Sequence, residues 1–335
     1  MTKLLDSLCQ TISHSFGLIK KIEINSVELD IRDHVKTIVE LNTKEKSSST
    51  TTPGTLRLPF KCEKATAKIL CRIPFVTLQK FCFMAKLMFE GKCAGTLTTK
   101  YSSVTLKGDV LTFADFDAVL EVTLEEMQHC AHLVLTSYSQ SSVSITFDGS
   151  GSVVANFGRI FGVHTISKLS LVATSCLRGS SHFSGMRCSD LEPTPENDIS
   201  RQEFVPASMD LDTSLVISAK VTFSNQGQLL ILIGRLEFDI IVLQDGGEEQ
   251  RIGVLVHKDL KIGQGDNVSS VMLYFDMKLE ATRIFLTNLT QGDQQADYQG
   301  FSESSKHPLI ALAAQKMRSN ITFCQFDYGL LESLA

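Results

Sequence analysis

The chain has 335 residues, of which 43% are hydrophobic and 21% charged, a composition typical of a globular protein too long for one ordinary core. Residues 1–189 carry 21 basic and 16 acidic side chains (net +5), whereas residues 190–335 carry 11 and 21 (net −10). This split supports two domains with different surfaces, and the basic excess is too weak to indicate a nucleic-acid partner.

The cysteines and the apolar segments exclude several further classes. The nine cysteines contain no CxxC pair, so the sequence predicts neither a zinc ribbon nor a dithiol redox motif. We expect reduced and mostly buried thiols, with a few disulfides as the alternative in an oxidising compartment. Residues 229–242 are too short and too charged for a transmembrane helix, and the N-terminus lacks the apolar core of a signal peptide.

Residues 1–20 form a predicted amphipathic helix. Leu5, Leu8, Ile12, Phe16 and Ile19 recur at three- and four-residue steps, which places them on one helix face. The helix either packs on the core or lies on a membrane surface, since lysines flank it.

Residues 21–190 form the first predicted β domain. Apolar and polar residues alternate in short runs, which indicates antiparallel strands with one buried face. Residues 44–54 are polar and end in Pro-Gly, which predicts a loop. Asp148–Ser152 is interpreted as a hairpin turn, residues 132–136 as a strand, and a helix is expected near residues 113–120 or 124–132.

Residues 191–203 contain two prolines and four acidic side chains and form the predicted linker.

Residues 204–335 follow as the second β domain. Its alternation places Arg235, Glu237 and Asp239 on a solvent face. Residues 281–290 are interpreted as a last full strand, residues 304–317 as a C-terminal helix that begins near Pro308, and residues 321–326 as a final strand. The fold class is therefore all-β.

The sequence contains only weak candidates for catalysis or cofactor binding. His129 and His132 would share a helix face with Glu125 or Glu126, but nothing in the sequence supplies a further metal ligand. Gly149-Ser150-Gly151 has the wrong spacing for a hydrolase nucleophile elbow, and Gly263 and Gly265 lack the third glycine of a phosphate-binding loop. We therefore predict a protein without catalytic residues, metal or cofactor.

Two further sets of residues are candidate sites. The uninterrupted apolar run Leu229, Leu230, Ile231, Leu232 and Ile233 offers apolar side chains on both faces of a strand, so it either lies under a second layer or forms a contact patch. N-glycosylation sequons occur at Asn267, Asn288 and Asn320, and they permit a luminal location.

The second half resembles the late-embryogenesis-abundant type 2 domain. The segments VISAKVTFSNQGQLLILIGRLEFDIIVL, IGVLVHKDLKIGQGDN and SSKHPLIALAAQKM carry this resemblance, most closely to fungal tandem-repeat proteins, and GTLRLPFKCEKATAKI and LTFADFDAVLEV extend it to the first half. Asn225-Gln226-Gly227 stands where the family has Asn-Pro-Ser. The resemblance implies two immunoglobulin-like antiparallel β-sandwich domains with short flanking helices, no catalytic residues, and a vacuolar or endomembrane location.

The function expected from these observations is non-enzymatic. A tandem β-sandwich of this kind would act as a binding or structural module, with a protein or a membrane surface as its partner. The alternative is a lipid-binding or lipid-transfer protein, because amphipathic strands can enclose an apolar cavity lined by the 20 phenylalanines and the many aliphatic residues.

Overall fold

The computed structural model describes residues 2–32, 54–69, 76–180, 184–195, 198–244 and 246–326. The chain is predominantly β, as predicted, and it divides into two compact units. The first unit comprises Met1–Gly179 together with Gly227–Leu230, and the second comprises Ser180–Gln226 and Ile231–Ala335. The first predicted loop, residues 44–54, lies outside the described residues except for Gly54.

The first unit contains an N-terminal helix, nine described strands and two further helices. Its helices are α1 (Thr2–Gly17), α2 (Met127–Ser139) and α3 (Gly158–Phe161). Its strands are β1 (Ile22–Asp30), β2 (Thr55–Lys68), β3 (Thr77–Phe89), β4 (Lys92–Thr99), β5 (Ser102–Lys107), β6 (Val110–Phe113), β7 (Phe116–Thr123), β8 (Ser142–Asn156) and β9 (Val163–Arg178).

The strands of the first unit form an antiparallel sheet whose two edges are brought together. β1 pairs with β2, and β2 pairs with both β6 and β7. β6 pairs with β5 and β7 with β4, and both β5 and β4 pair with β3. β3 also pairs with β8, and β8 pairs with β9. A parallel bridge joins Lys21, just before β1, to Thr174 of β9. Further along, the Gln228 backbone donates to the Arg178 carbonyl at 2.8 Å and accepts from the Val27 amide at 3.0 Å. Segment 227–230 thus fills the gap between β1 and β9.

Helix α1 packs on the core of the first unit. Ile12, Phe16 and Ile19 are each at most 1% exposed, and the Phe16 ring stacks on the Phe81 ring of β3 at 5.5 Å. The apolar stripe therefore faces the core, which matches the first of the two interpretations of this helix.

Strand β8 is continuous, so the hairpin turn predicted at Asp148–Ser152 is wrong. Residues 142–156 pair with β9 on one side and, over residues 146–156, with β3 on the other. A Cβ on Gly149 would lie 2.1 Å from the Met84 carbonyl oxygen, and one on Gly151 would lie 2.7 Å from that of Cys82. The two glycines serve close approach of strands instead of a turn.

The second unit contains seven strands in the part of the chain that the structure describes. They are β10 (Ser184–Pro193), β11 (Ser214–Asn225), β12 (Leu229–Leu243), β13 (Glu249–Ile262), β14 (Gly265–Asp276), β15 (Gln294–Gln299) and β16 (Arg318–Phe323). Its helices are α4 (Ile199–Glu203), α5 (Glu280–Gln291) and α6 (Pro308–Ala314), with a 3-10 turn at Leu211–Thr213.

The pairings of the second unit form a closed ring. Their order is β10, β11, β14, β13, β12, β15 and β16, and β16 returns to β10. The β10–β16 pair is parallel and the others are antiparallel. A closed ring leaves few free sheet edges, which is one way in which a β protein avoids edge-to-edge association.

Several predicted elements differ from the observed ones. Residues 281–290 lie in helix α5 and not in a strand, because the buried Ala281, Phe285 and Leu289 recur every four residues. Residues 132–136 lie in helix α2, which begins inside the second of the two ranges proposed for a helix. The predicted C-terminal helix and the final strand are confirmed as α6 and β16.

The segment predicted as a linker belongs to the second unit, and two of its described parts form regular elements. Residues 191–193 end strand β10, and residues 199–203 form α4. Beyond it, residues 203–211 form a strap over the apolar cluster of Val216, Val254, Val256, Met272 and Tyr274, against which Phe204, Val205, Met209 and Leu211 pack. This strap explains why consecutive residues of β13 are buried on both faces.

Candidate functional site

A cleft of about 560 Å³ in the second unit has the size of a small-ligand or peptide site. It lies beside helix α5, where strands β12 and β15 separate. Its lining residues are Ile241, Val242, Leu243 and Gln244 near the end of β12; Glu280, Ala281, Ile284, Phe285 and Asn288 of α5; Gln294, Gln295, Ala296 and Asp297 of β15; and Arg318 and Asn320 of β16.

The cleft exists because the pairing of β12 with β15 is short. The two strands pair only from Asp239↔Gln299 to Ile241↔Asp297. Beyond that point β12 continues along β13 to Leu243↔Glu249, while β15 continues along β16 to Gln294↔Phe323. The two strands therefore form a fork, defined by residues 241–243 and 294–297, and α5 occupies one side of it.

An ion-pair network fixes the charged part of the cleft. The Arg318 guanidinium donates to Asp297 at 2.6 and 2.9 Å and to Glu249 at 2.8 and 3.1 Å. These two carboxylates raise the pKa of Arg318 above its ordinary value, so this residue is a permanent cation. Asn320 donates to the other oxygen of Asp297 at 3.2 Å. The network holds three side chains of β15 and β16 in fixed positions.

Side-chain amides supply most of the remaining polar groups. They are Gln244, Asn288, Gln294, Gln295 and Asn320, and each carries both a donor and an acceptor. The Gln294 amide is turned toward the end of α5, where it donates to the carbonyls of Asn288 and Gly292 at 3.3 Å. Exposed aliphatic side chains complete the site, since Leu243 is 68% and Ile284 54% exposed. Such a lining suits recognition by hydrogen bonds and apolar contact.

The apolar interior of the first unit contains a much smaller void. It is about 30 Å³ and is lined by aliphatic side chains and by Phe60, Phe81, Phe83, Phe113, Phe116 and Phe147. A void of this size holds about one water molecule, whereas small-molecule sites span roughly 300–1,000 Å³. The phenylalanines around this void therefore pack as a core, and the void itself is too small for an acyl chain.

The predicted contact patch, Leu229–Ile233, lies where the chain leaves the first unit. Leu229 and Leu230 belong to the first unit and the following three residues to the second. Ile231 and Ile233 are buried at 6% and 7% exposure, and the other three are intermediate. None of the five is an exposed side chain, which agrees with the interpretation that other residues cover this run.

The three predicted sequon asparagines occupy different environments. Asn288 and Asn320 are exposed and line the cleft. Asn267 instead forms a turn, since its amide nitrogen donates to the carbonyls of Gly263 and Gly265 at 3.0 and 2.8 Å and its oxygen accepts from the Gly263 amide at 2.7 Å. A glycan on Asn267 would replace one of the two donated hydrogens, so this site is the least suited to modification in the folded protein.

The weak metal candidate is not assembled. His132 lies 3.3 Å from Glu90, and Glu126 accepts from the Thr123 amide and hydroxyl at 3.0 and 2.9 Å, which stabilises the turn before α2. No group of three metal-ligating side chains occurs among the described residues. In those same residues, no helix is long and apolar enough to cross a membrane.

The sequence singles out two residues of the cleft, Asn288 and Asn320, but only as N-glycosylation sequons. The fork has no local signature in the sequence, because fifty residues, 244–293, separate β12 from β15 and their divergence depends on pairing. A signal was present in the polar run Gln291–Gln295, which is rich in amides and follows an apolar segment.

Comparisons with known proteins give no assignment. No protein-family model and no curated protein matches this sequence. Among solved structures, the chain is similar to the partial N-terminal region of an enterococcal surface protein at 6% identity, over 92% of this chain and 96% of that one. The TM-score of that comparison is 0.18, which is too low to support an argument about fold or function.

Proposed function

We propose that this chain is a non-enzymatic binding module that recognises another protein through the cleft of its second unit. The observation that carries the proposal is the cleft itself, because it combines a ligand-sized volume with side-chain amides and exposed aliphatic groups. Amides and aliphatic side chains bind a partner without making or breaking bonds. The fixed Arg318 network adds an orienting charge.

The resemblance to late-embryogenesis-abundant type 2 domains is part of this proposal. It would make each unit an immunoglobulin-like two-layer domain and would locate the protein at an endomembrane compartment. The many strands and the division into two units support the coarse form of that interpretation. The family's expected work, which is binding or spacing, agrees with a recognition cleft.

The alternative of a lipid carrier receives less support from the structure. Its motivating feature is the high content of phenylalanine, and six of the 20 phenylalanines line a void of only about 30 Å³ in the first unit. A carrier function would require that core to expand, which costs packing energy.

The test is recovery of partners by matched variants of the tagged full chain. Ile284→Arg places a charge in the cleft, and Val268→Arg places the same charge on an exposed aliphatic position of β14 that does not line the cleft. Quantitative mass spectrometry should find a protein whose recovery falls about tenfold or more in Ile284→Arg. That protein should be retained by Val268→Arg.

Two results would contradict the proposal. One is a set of partners that both variants retain equally, which would show that the cleft is not used. The other is stoichiometric lipid in organic extracts of native protein, which would favour the carrier. Both variants must give the circular dichroism spectrum of the unmodified chain, and Asn288→Trp offers a second, uncharged way to fill the cleft.

A further inference from the structure

The fork between β12 and β15 presents two strand edges that face a common space. Among the described residues, no pairing joins β12 to β15 beyond Ile241↔Asp297. The outer sides of both strands remain paired, β12 with β13 and β15 with β16. Alternate backbone groups of residues 242–243 and 294–296 therefore point into the cleft without a ladder partner, which is the arrangement that an added strand satisfies.

The side chains around the fork suit a peptide backbone. Gln295 and Asn288 each offer a donor and an acceptor, which complement the amide and carbonyl of an extended peptide, and Gln244, whose amide nitrogen donates to Gln250, adds a carbonyl oxygen. Leu243 and Ile284 are exposed, and an alternating segment would place an apolar side chain against them. The cleft thus offers main-chain pairing for affinity and an apolar contact for selectivity.

The charges at the cleft favour a basic group on the ligand. The Arg318 guanidinium is shared between Glu249 and Asp297, and a further carboxylate, Glu280, lines the same cleft as Arg318 and Asp297. Glu280 is exposed, and the structure shows no ion pair for it within the described residues. A lysine or arginine on the ligand would give this carboxylate a partner.

We infer that the cleft binds an extended peptide segment of a partner protein, which adds as a strand in the β12–β15 fork and places a basic side chain at Glu280. This inference rests on the proposed function, because it names the kind of segment that the binding module recognises. A segment of a few residues is long enough to run along the fork, because an extended chain rises about 3.3 Å per residue.

The first experiment measures binding of labelled hexapeptides to the full chain by fluorescence polarisation. The peptides alternate aliphatic and polar residues, and one position carries lysine, glutamine or glutamate. We expect the lysine peptides to bind at least about tenfold more tightly than the matched glutamate peptides, because the cleft carries a negative excess. Equal affinity for both would overturn the assignment of the basic group.

The second experiment tests whether the peptide binds as a strand. N-methylation of the tightest peptide, one residue at a time, removes one backbone donor without changing a side chain. In a strand, alternate amides point to the same edge. Affinity should therefore fall about tenfold at alternate positions and change little at the intervening ones. A uniform response would show that side chains alone are recognised.

Matched charge reversals locate the site. Glu280→Lys should weaken the lysine peptides about tenfold and improve the glutamate peptides, whereas Glu303→Lys, an exposed position of the same unit outside the cleft, should leave both unchanged. Glu280→Gln provides a milder change at the same atom positions. Equal effects of the two reversals would overturn the site.

The failures of the inference and of the proposed function are distinguishable. If no hexapeptide binds at about 1 mM while partner recovery still depends on Ile284, the module binds a folded surface and the strand inference is wrong. If partner recovery also fails, the proposed function is wrong. Competition by free spermidine at the same concentration as the peptides would show a simple cation site and would likewise overturn the inference.

Discussion

A buried histidine gives the second unit a built-in dependence on pH. His257 is 2% exposed, its Nδ1 lies 2.8 Å from the Ser269 hydroxyl, and the Phe238 ring meets it edge-on. Burial lowers the pKa of His257 to about 3 from its ordinary value near 6.5. The folded chain therefore holds this ring neutral under conditions in which the unfolded chain would protonate it.

The sign of the effect follows from that lowered pKa. The stabilisation is fully present above about pH 6.5, and it is lost as pH falls from 6.5 toward the folded pKa of about 3. Between pH 7.5 and 5.5 the loss amounts to about 1.4 kcal/mol. Urea unfolding at both values measures it, and His257→Gln should reduce the difference by most of that amount. An unchanged difference in the variant would show that other groups cause it.

Gly149 provides a second test at the scale of one residue. An alanine Cβ there would lie 2.1 Å from the Met84 carbonyl oxygen and 2.5 Å from the Ala85 Cα, so the β3–β8 pair must separate. Gly149→Ala should lower the free energy of unfolding by about 3 kcal/mol. Gly17→Ala is the control, because no atom lies within 4 Å of the added carbon. Thermal melts of the two variants should differ clearly, and equal melts would mean that β8 is not held against β3 as described.

At the scale of elements, one arginine holds the strap of residues 203–211 on the sheet. Arg235 donates to the carbonyls of Phe204 and Val205, both at 3.2 Å, and to Glu237 at 2.6 and 3.0 Å. Its guanidinium carbon also lies 5.7 Å from the centre of the Phe204 ring. Burial raises the pKa of Glu237, and the charge of Arg235 opposes that increase. Arg235 thus joins the strap to strand β12.

Arg235→Lys should loosen this strap. Lysine retains the charge but cannot form the forked set of hydrogen bonds, so we expect a loss of about 1–3 kcal/mol. Hydrogen exchange should become faster in residues 203–211. Arg187→Lys is the control, because Arg187 and Asp293 form an exposed pair 3.2 Å apart, and solvent and salt screen such a pair so that it contributes little to stability. Unchanged exchange in the strap would contradict the anchoring role of Arg235.

Most strands, but not every turn and helix, can be predicted from the sequence. Alternation identified most strands, since a half-buried strand and its period of two are local properties. The glycines of Asp148–Ser152 suit either a turn or a close approach of two strands, and only the closeness of Met84 and Cys82 distinguishes these two uses. Residues 281–290 contain Thr, Ile and Phe, which favour strands, but Phe285 packs on Phe275 and Phe323 from a helix.

The cleft lay beyond prediction for a related reason. Its walls come from four elements, and its opening depends on where β12 stops pairing with β15. Neither strand contains a residue pattern that shows where this pairing ends. Asn288 and Asn320 stand out in the sequence only as sequons, and the fold of the second unit brings them to one cleft.

At the scale of the whole chain, the first unit is completed by residues that follow Ser180–Gln226 of the second. The Gln228 side chain accepts from the Arg178 amide at 2.7 Å and donates to the Ile24 carbonyl at 3.3 Å, in addition to its two backbone bonds. Without this segment, β1 and β9 would present unpaired edges, which are sites of non-native association. The apolar run that begins at Leu229 thus follows a residue that closes the first unit, and this role within the chain explains its apolar character.

Gln228→Ala tests this closure. It removes both side-chain bonds and leaves the Arg178 amide without that acceptor, so we expect a loss of about 1–3 kcal/mol. Gln226→Ala is the matched control, because Gln226 is exposed and is only two positions away. Hydrogen exchange resolved by segment should speed up in β1 and at the end of β9 and should stay unchanged in β14. Exchange that rises equally in all strands, or equal behaviour of the two variants, would show that Gln228 does not join β9 to β1. The closure of the first unit would then depend on the bridge between Lys21 and Thr174.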